Sequence, residues 1–433
     1  MQKAASFSKA QKRILLLSSL GGVLEFYDFI IYIFLAPIIE KLFFANNSSY
    51  VATLKTFAIF SIGYLFRPLG GIIFSHFGDR YGRKVVFLLT VVCMAIPSFA
   101  IGLLPTTAQM GIAAPILLLI FRMMQGFALG GEIPAAITFV AEHAANHRRG
   151  FALSILFFGI NSGLLLGSLV TTMVTSLLTT EDILHYGWRI PFILGGFFGL
   201  ASVFLRRYLH ETAAFTALRQ QDVQRIPLFF LMRHFSKNVL QGTMLVALGS
   251  VTVFFYLYWP QYLHQYLHYD FAELMRVNTV STLILNFAIL IGGLFNDRFA
   301  YRTSYLVGTT FLIVLTYPLF VLLTFHNMLW VMLSYLIFSI IFGFIPSGYG
   351  SILNELFPTS IRYSGIAMSY NLAYAVFGGL SPVICTVAIR VFDSVLAPAV
   401  YVIIIAIFSW VACYFGRKSP IYSNVQLALE NTK

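Results

Sequence analysis

Two carboxylic acids interrupt the first long apolar run of the chain, between residues 14 and 39. Glu25 and Asp28 lie near the middle of this run, in the sequence GGVLEFYDFI. Their i, i+3 spacing would place both on one face of a helix. In a membrane helix each carboxylate would cost roughly 2.5–3.5 kcal/mol on insertion-based scales, and such residues usually mark ion or substrate paths. The pair therefore indicates a proton-carrying site or, alternatively, two carboxylates in a water-filled vestibule with no further role.

Further charged residues lie inside other apolar segments. Arg122 and Glu132 share the segment RMMQGFALGGE, whose glycines would let helices approach closely. Arg67 is either a structural partner of Asp28 or Glu25, or a clamp for an anionic substrate, since a guanidinium binds carboxylates in bidentate fashion. If Glu25 and Asp28 are functional they need a partner, and we expect Arg122 to supply it. A carboxylate beside a guanidinium stays ionised, whereas one that loses this partner in a dry cavity holds its proton, as a proton carrier requires. We interpret Glu25, Asp28 and Glu132 as candidate proton sites, with Asp28 first.

The second half of the chain offers polar aromatic side chains near the middle of its apolar segments. Tyr256 and Gln261 lie in FFYLYWPQYLHQY, and Tyr370, Asn371 and Tyr374 lie in SYNLAYAVFGG. Rings and amides of this kind suit a small polar solute, although aromatic residues at such spacing more often belong to a core or an interfacial belt. We interpret these five residues as candidate substrate contacts.

The composition indicates what kind of protein positions these residues. Of the 433 residues, 59% are hydrophobic and only 10% are charged, and the mean hydropathy is +0.83. A soluble domain uses about 25% charged residues, so this chain cannot cover a water-soluble surface. Apolar stretches of about 17–25 residues recur, as transmembrane helices require. The sequence predicts an all-α polytopic membrane protein, and the three scattered cysteines indicate no metal site, so we expect no cofactor.

Twelve predicted spans cover most of the chain. They are 14–43, 52–76, 84–104, 112–141, 150–178, 188–209, 238–266, 273–296, 303–324, 328–353, 362–391 and 395–416. Most of the 28 Lys and Arg residues fall on the side that carries both termini, which is the cytoplasmic side by the positive-inside rule. The net charge of +12 is thus a topology signal, and we expect no nucleic-acid partner. We expect a monomer in the lipid bilayer of the inner or plasma membrane, with both termini in the cytoplasm.

The chain divides into two similar halves. A polar stretch separates an N-terminal bundle, 1–209, from a C-terminal bundle, 238–416, with a loop at 210–237 and a tail at 417–433. The sequence SHFGDRYGRK in the first half has a counterpart, GGLFNDRFAYR, in the second, and EHAANHRRG has the counterpart ELFPTSIRYSG. The distance along the chain between the two motifs of a pair is nearly the same for both pairs. Parallel repeats of this kind predict two bundles of six helices each.

The repeated motifs also supply candidate gating residues. These residues are Asp79, Arg80, Arg83, Glu142, Asp297, Arg298 and Glu355. We expect each Asp-Arg motif to pair with the glutamate of its own half, so that breaking the pair accompanies opening to the cytoplasm. The alternative is a solvated loop that only fixes topology, which explains the basic residues but not the acids among them.

Seven motifs lie in the first half of the chain, between residues 24 and 215. They are LEFYDF (24–29), RPLGG (67–71), GDRYGRK (78–84), RMMQGFALGGE (122–132), EHAANHRRG (142–150), GWRIPF (187–192) and HETAAF (210–215). Together they resemble the metabolite:proton symporters of the major facilitator superfamily, whose members take up dicarboxylates, citrate, shikimate, proline or betaine. The resemblance implies a major facilitator fold and points to Arg122 as the coupling arginine of the fourth helix.

The residues and the resemblance together predict a proton-coupled secondary transporter that works by alternating access. We expect import of a small organic acid, because Arg67 and Arg122 favour carboxylates. The alternative is symport of a zwitterionic osmolyte such as proline or betaine, which the intramembrane acids and tyrosines would suit through cation–π contact. A proton-antiport exporter is disfavoured, since Leu164 stands where drug exporters carry a proline. An enzyme is disfavoured because no span combines a nucleophile with a base or a metal cluster.

Overall fold

The structure is a computed structural model that describes residues 9–45, 47–81, 83–144, 146–206, 228–357 and 362–416. Within these ranges all regular elements are helices, so the predicted all-α class is confirmed. The helices of the described residues form twelve rods, of which several consist of two or three successive helical segments.

The rods are named α1 to α12 in chain order. The first six are α1 (Lys9–Phe34 and Ala36–Phe43), α2 (Ser49–Leu65 and Arg67–Tyr81), α3 (Arg83–Leu103), α4 (Ala113–Leu129 and Glu132–His143), α5 (Arg149–Leu177) and α6 (Arg189–Arg206). The second six are α7 (Leu228–Leu267), α8 (Phe271–Arg298), α9 (Tyr301–Leu323), α10 (Met328–Gly343 and Ile345–Leu356), α11 (Arg362–Ala373, Tyr374–Gly379 and Ser381–Phe392) and α12 (Ala397–Phe415). Short helical turns lie in the connections, at Thr107–Met110, Asn146–Arg148, Thr180–Asp182 and Ile183–Gly187.

The lengths and hydropathies of these helices fit a membrane. In the described part of the chain, eight helices are long and apolar enough to cross a bilayer, and the two segments of α1 together make a ninth. The remaining three rods contain the shorter apolar stretches Leu89–Leu103, Ala113–Leu129 and Arg189–Ser202. The chain is therefore an integral multi-pass membrane protein, as predicted.

Several rods are broken, which the continuous predicted spans did not show. The two segments of α1 meet at Leu35 at an angle of 59°, just before Pro37. The two segments of α2 meet at Phe66, just before Pro68, and α10 and α11 break before a proline in the same way. Proline has no N–H to donate and its ring clashes with the preceding turn, so a helix bends there. The break in α2 makes Arg67 the first residue of a new helical segment.

Helices α2 and α4 cross with their backbones in contact. A Cβ atom at Gly126 would collide with the backbone of Gly63, and one at Gly130 would collide with the carbonyl oxygen of Arg67. Small residues permit this approach between membrane helices. The predicted role of the α4 glycines is thus confirmed, and their crossing places Arg67 and Arg122 on adjacent helices.

The two halves form two six-helix bundles that meet face to face, as predicted. Helix α5 packs along α8, α1 packs against α7, and α2 and α4 both pack against α11. The pairs α3 with α6 and α9 with α12 pack within their own bundles. The bundle boundaries themselves stay predictions, although α7 begins at Leu228, inside the predicted loop, and bends at Phe235.

Candidate functional site

Arg67 lies at the contact between the two bundles, enclosed by three tyrosine rings. Its guanidinium carbon is 5.3 Å from the ring centre of Tyr64, 5.7 Å from that of Tyr370 and 4.8 Å from that of Tyr374. The side chain is 0% exposed, and none of its three nitrogen atoms has a hydrogen-bond partner among the described residues. A buried guanidinium without acceptors is costly, so this group is available for an acceptor that enters from outside.

The three rings, which we call the tyrosine cage, come from both bundles. Tyr64 belongs to α2, whereas Tyr370 and Tyr374 belong to α11 and stack on each other with ring centres 4.5 Å apart. Tyr374 also stacks on Tyr64 at 6.2 Å. Tyr374 begins a π-helical stretch, a feature that is frequent at functional sites. The i, i+4 tyrosines of the sequence therefore meet Arg67, and the contact depends on how the bundles approach.

Arg122 is equally buried but is held inside the first bundle. Its Nη1 group donates hydrogen bonds to the carbonyl oxygen of Phe29 at 2.9 Å and to Oε1 of Gln125 at 2.8 Å. Its guanidinium carbon lies 4.4 Å from the ring centre of Phe29, 4.7 Å from that of Tyr32 and 5.7 Å from that of Phe60. All of these contacts belong to α1, α2 and α4.

Asp28 is 1% exposed and turns into the first bundle rather than towards lipid. Neither of its oxygen atoms has a hydrogen-bond partner within the described part of the chain. Ser98 of α3 lies beside the carboxylate, and a Cβ atom at Gly195 of α6 would collide with it. The expected ion pair with Arg122 is not formed in this structure. Successive side chains point about 100° apart around a helix, so α1 presents the Phe29 ring to Arg122 and the Asp28 carboxylate to α3 and α6.

Several predicted residues fall on side chains that the structure does not describe. Glu25 and Glu132 lie on α1 and α4, but their side chains are outside the described part, so their roles as proton sites stay predictions. The same holds for the gating residues of the first half, namely Asp79, Arg80, Arg83 and Glu142.

The other predicted substrate residues take part in packing between or within the bundles. Tyr256 is buried inside the second bundle, where its hydroxyl bonds to Ser339 Oγ at 2.5 Å. Asn371 crosses between the bundles, because its Nδ2 group donates to the carbonyl oxygen of Gly130 at 2.6 Å. The Asn371 Oδ1 atom is buried without a donor among the described residues, so this residue is the better candidate for a polar ligand.

The predicted gate of the second half has different partners from those expected. Asp297 accepts hydrogen bonds from the backbone N–H groups of Gly150 at 2.7 Å and Phe151 at 3.0 Å, at the start of α5 in the other bundle. A helix N-terminus exposes unpaired N–H groups and attracts a carboxylate, which explains this contact. Glu355 instead accepts from Tyr301 and lies 4.0 Å from Arg302. The expected pairing of the Asp297–Arg298 motif with Glu355 is therefore not formed in the described structure, and Arg298 is exposed with its guanidinium over Phe299.

At the opposite end of the bundles, a polar cluster joins α1 and α2 to α7. Glu40 accepts hydrogen bonds from Thr53 at 3.1 Å and from the predicted substrate residue Gln261 at 3.2 Å. Gln265 donates to Thr53 at 3.0 Å. The bundles are therefore in polar contact at both ends, through Asp297 at one and Glu40 at the other.

The sequence interpretation missed Glu40, Ser98 and Gln125. Gln125 connects Arg122 to Ser98, because its Nε2 group donates to Ser98 Oγ at 2.8 Å. Neutral polar residues inside apolar segments carry no charge signal, and their partners lie on other helices. The glutamate near the end of a predicted span, close to Pro37, was a signal that could have been used.

The chain is similar in sequence to known membrane transporters. The Major Facilitator Superfamily profile matches residues 18–382. The proline/betaine transporter of Salmonella typhimurium is 34% identical over 401 residues, covering 90% of this chain and 80% of the relative. The glycine betaine/proline/ectoine/pipecolic acid transporter OusA of Dickeya dadantii is 33% identical over 413 residues, covering 93% of this chain and 82% of the relative.

Solved structures with a similar fold include xylose transporters. The proton:xylose symporter XylE bound to 6-bromo-6-deoxy-D-glucose gives a TM-score of 0.75 at 18% identity, covering 94% of each chain. A partially occluded inward-open conformation of XylE from E. coli gives 0.70 at 16% identity, covering 94% of this chain and 98% of that one. At these identities the likeness concerns the fold alone.

Proposed function

Because the chain belongs to the major facilitator superfamily of membrane transporters, we propose that it imports a small zwitterion, of the betaine or proline type, together with a proton. The proposal joins three observations. They are the unpaired guanidinium in the tyrosine cage, the unpaired carboxylate in the first bundle, and the similarity to proline/betaine transporters over nine tenths of the chain.

The tyrosine cage with Arg67 is the observation that carries the substrate class. A substrate carboxylate would accept hydrogen bonds from the unpaired guanidinium of Arg67, which is suited to bidentate contact. The alkylated ammonium of the same molecule would lie against the faces of Tyr64, Tyr370 or Tyr374, since aromatic rings attract such cations. In the structure the Arg67 guanidinium itself lies over these rings, so a cation is already accommodated there.

The organic acid that we expected from the sequence has less support than the alternative. A simple acid would use Arg67 but leave the faces of the tyrosine cage without a cation from the substrate. Relatives that are 33% and 34% identical to this chain carry proline and betaine in their names, which favours a zwitterion. We therefore place the organic acid second.

Asp28 is the proposed proton carrier. An ionised carboxylate buried without donors is costly, so a carboxylate in this place is stabilised when it holds a proton. Asp28 lies in the bundle interior, and not beside the substrate at Arg67, so the two ligands would communicate through the protein. The contacts of Asp297 and Glu40 at the two ends suit alternating access, in which each is broken in turn. The bias of basic residues supports a cytoplasmic position for both termini.

The proposal is tested by uptake into vesicles reconstituted with the purified protein. We expect labelled betaine or proline to accumulate under an inward proton gradient, and accumulation to stop when a protonophore collapses the gradient. Empty vesicles measure leakage, and uptake of labelled succinate is measured in parallel to test the organic acid. Saturable uptake of succinate that neither betaine nor proline inhibits would contradict the zwitterion. An unchanged initial rate of betaine uptake after collapse of the gradient would contradict proton coupling.

A further inference from the structure

A chain of hydrogen bonds runs from Arg122 towards Asp28 through two neutral side chains. Arg122 Nη1 donates to Gln125 Oε1 at 2.8 Å, and Gln125 Nε2 donates to Ser98 Oγ at 2.8 Å. Ser98, on α3, lies beside the Asp28 carboxylate. Its own hydroxyl donates to the carbonyl oxygen of Met94 at 3.1 Å. The chain thus connects an arginine and a carboxylate that do not touch each other.

The direction of these hydrogen bonds follows from the chemistry of the groups. A guanidinium has no acceptor, so the Gln125 oxygen must face Arg122 and the Gln125 nitrogen must face Ser98. Ser98 is therefore bound as an acceptor on the Gln125 side. Its single hydroxyl proton can be given either to the Met94 carbonyl, as in this structure, or to the carboxylate of Asp28 beside it.

We propose that Ser98 and Gln125 are positioning residues that transmit the protonation state of Asp28 to Arg122. This inference rests on the proposed function, in which Asp28 carries the proton. While Asp28 is a neutral acid, the Ser98 hydroxyl stays on the Met94 carbonyl. When the proton leaves, the carboxylate draws the hydroxyl to itself, because a charged acceptor forms the stronger hydrogen bond. The Ser98 oxygen then becomes a better acceptor for Gln125, and Gln125 in turn holds Arg122 more tightly.

The other end of the chain reaches the substrate site through aromatic rings. The guanidinium of Arg122 lies over the rings of Phe29 and Phe60. Both rings contact Tyr64, with ring centres 4.7 Å and 5.0 Å apart. Since Tyr64 is part of the tyrosine cage around Arg67, a change in the position of Arg122 alters the packing behind the cage.

Tyr27 is a titratable neighbour of Asp28 on α1 and interacts with it electrostatically. The other described side chains that titrate or carry charge on α1 to α6 are Tyr32, Glu40 and Lys41 on α1, Tyr50, Lys55, Tyr64 and Arg67 on α2, Cys93 on α3, Arg122 on α4, Arg149 on α5 and Arg189 on α6. The nearest elements otherwise present Ser98 on α3, Gly163 on α5 and Gly195 on α6, none of which titrates. The hydroxyl of Tyr27 donates to the backbone of α6 at 2.9 Å, so it is already engaged.

The test measures the affinity of the purified protein for betaine and for proline at an acidic and at a mildly alkaline pH. We expect the affinity of the wild type to be at least about fivefold higher at the acidic pH than at the alkaline pH. Fivefold is the lower end of typical coupling between two ligands. Ser98→Ala and Gln125→Met should bind well at acidic pH but lose this pH dependence, so that the ratio of the affinities at the two pH values falls to near one. Ser98→Thr keeps the hydroxyl and should restore the ratio.

The control variant is Ser202→Ala on α6. Ser202 is buried like Ser98, but its hydroxyl has no hydrogen-bond partner among the described residues. We expect this variant to keep the wild-type ratio, so that a general effect of losing a buried hydroxyl is excluded. Exchange of labelled for unlabelled substrate should survive in all the variants, which shows that they are folded.

The outcomes separate this inference from the proposed function. If Ser98→Ala and Gln125→Met keep the wild-type ratio, while Asp28→Asn abolishes it, the connection through Ser98 and Gln125 is wrong and the proton site stands. If Asp28→Asn keeps the ratio, or if the wild type binds neither compound, the proposed function fails and this inference fails with it. In an Asp28→Asn background, Gln125→Met should cause no further change in the ratio.

Discussion

The two arginines enclosed in the membrane region, Arg67 and Arg122, differ in what surrounds them. Both are 0% exposed and both lie over three aromatic rings. Arg122 holds a carbonyl and an amide of its own bundle, whereas Arg67 has no hydrogen-bond acceptor among the described residues and faces rings from both bundles. An arginine whose hydrogen bonds are partly satisfied can organise one bundle, and an unsatisfied one between bundles is available for a ligand. The surroundings of a buried charge thus indicate its role better than the residue type does.

The largest effect is expected from Arg67→Gln. This change removes the cation that would bind the substrate carboxylate, so the affinity for betaine or proline should fall by about 100-fold, since truncating a buried charged partner typically costs 2–5 kcal/mol. Isothermal titration of the purified variant measures the loss. Arg390→Gln is the control, because Arg390 is exposed and lies over Tyr50. An Arg67→Gln variant that binds as tightly as the Arg390→Gln variant would remove Arg67 from the substrate site.

Asp28→Asn is expected to abolish concentrative uptake while leaving substrate exchange. The change keeps the shape of the side chain but removes the group that titrates, and exchange does not require release of the proton. Vesicle uptake and exchange of labelled substrate are measured side by side, with Asp393→Asn as the control at an exposed turn. Glu25→Gln should have a smaller effect if Asp28 is the carrier. Accumulation against a gradient by Asp28→Asn, with the pH dependence of the wild type, would show that Asp28 is a bystander.

Arg122→Lys should impair coupling with little loss of affinity. A lysine keeps the charge but lacks the planar fork that reaches the Phe29 carbonyl and Gln125 together. We expect the substrate gradient that the protein can sustain to fall by about tenfold, which corresponds to roughly 1.4 kcal/mol of lost coupling. Arg189→Lys is a matched control, since Arg189 also donates to two carbonyls, those of Gly102 and Leu104. If both variants lose stability alike and neither loses coupling, Arg122 is a structural residue.

The sequence was sufficient for the part of the architecture that depends on composition and repetition. The apolar spans, the paired motifs and the positions of Arg67 and Arg122 within spans all follow from the residues themselves. The contact of Tyr370 and Tyr374 with Arg67 could be predicted only in part. Their i, i+4 spacing indicates a shared face, but their distance from Arg67 depends on how the bundles meet.

Other contacts could not be predicted because they depend on helix rotation and breaks. The expected pair of Asp28 with Arg122 requires both side chains to point into the same space, and the rotation of α1 directs them apart. The Asp297–Arg298 motif was expected to pair with Glu355, but Asp297 instead accepts hydrogen bonds from the N-terminus of α5, which belongs to the other bundle. Gln261 was interpreted as a substrate residue, but it donates a hydrogen bond to Glu40. The break in α1 brings Glu40 towards α7.

The smallest expected effect compares one ring over each arginine. The ring centre of Tyr374 is 4.8 Å from the Arg67 guanidinium, and that of Tyr32 is 4.7 Å from the Arg122 guanidinium, so the two contacts are closely matched. Tyr374→Leu removes a face on which the substrate ammonium would lie, and we expect a loss of affinity of about 0.5–2 kcal/mol, or roughly 2- to 30-fold. Tyr374→Phe keeps the face and should lose about twofold at most, since the ring supplies most of this attraction. At acidic pH, where Asp28 is protonated, Tyr32→Leu should leave the affinity unchanged, because its ring lies on the arginine that does not touch substrate. Titration with betaine measures all three variants, and the melting temperatures show whether each still folds. Equal losses from Tyr374→Leu and Tyr32→Leu would mean that both arginines belong to one site, and the distinction between them would not hold.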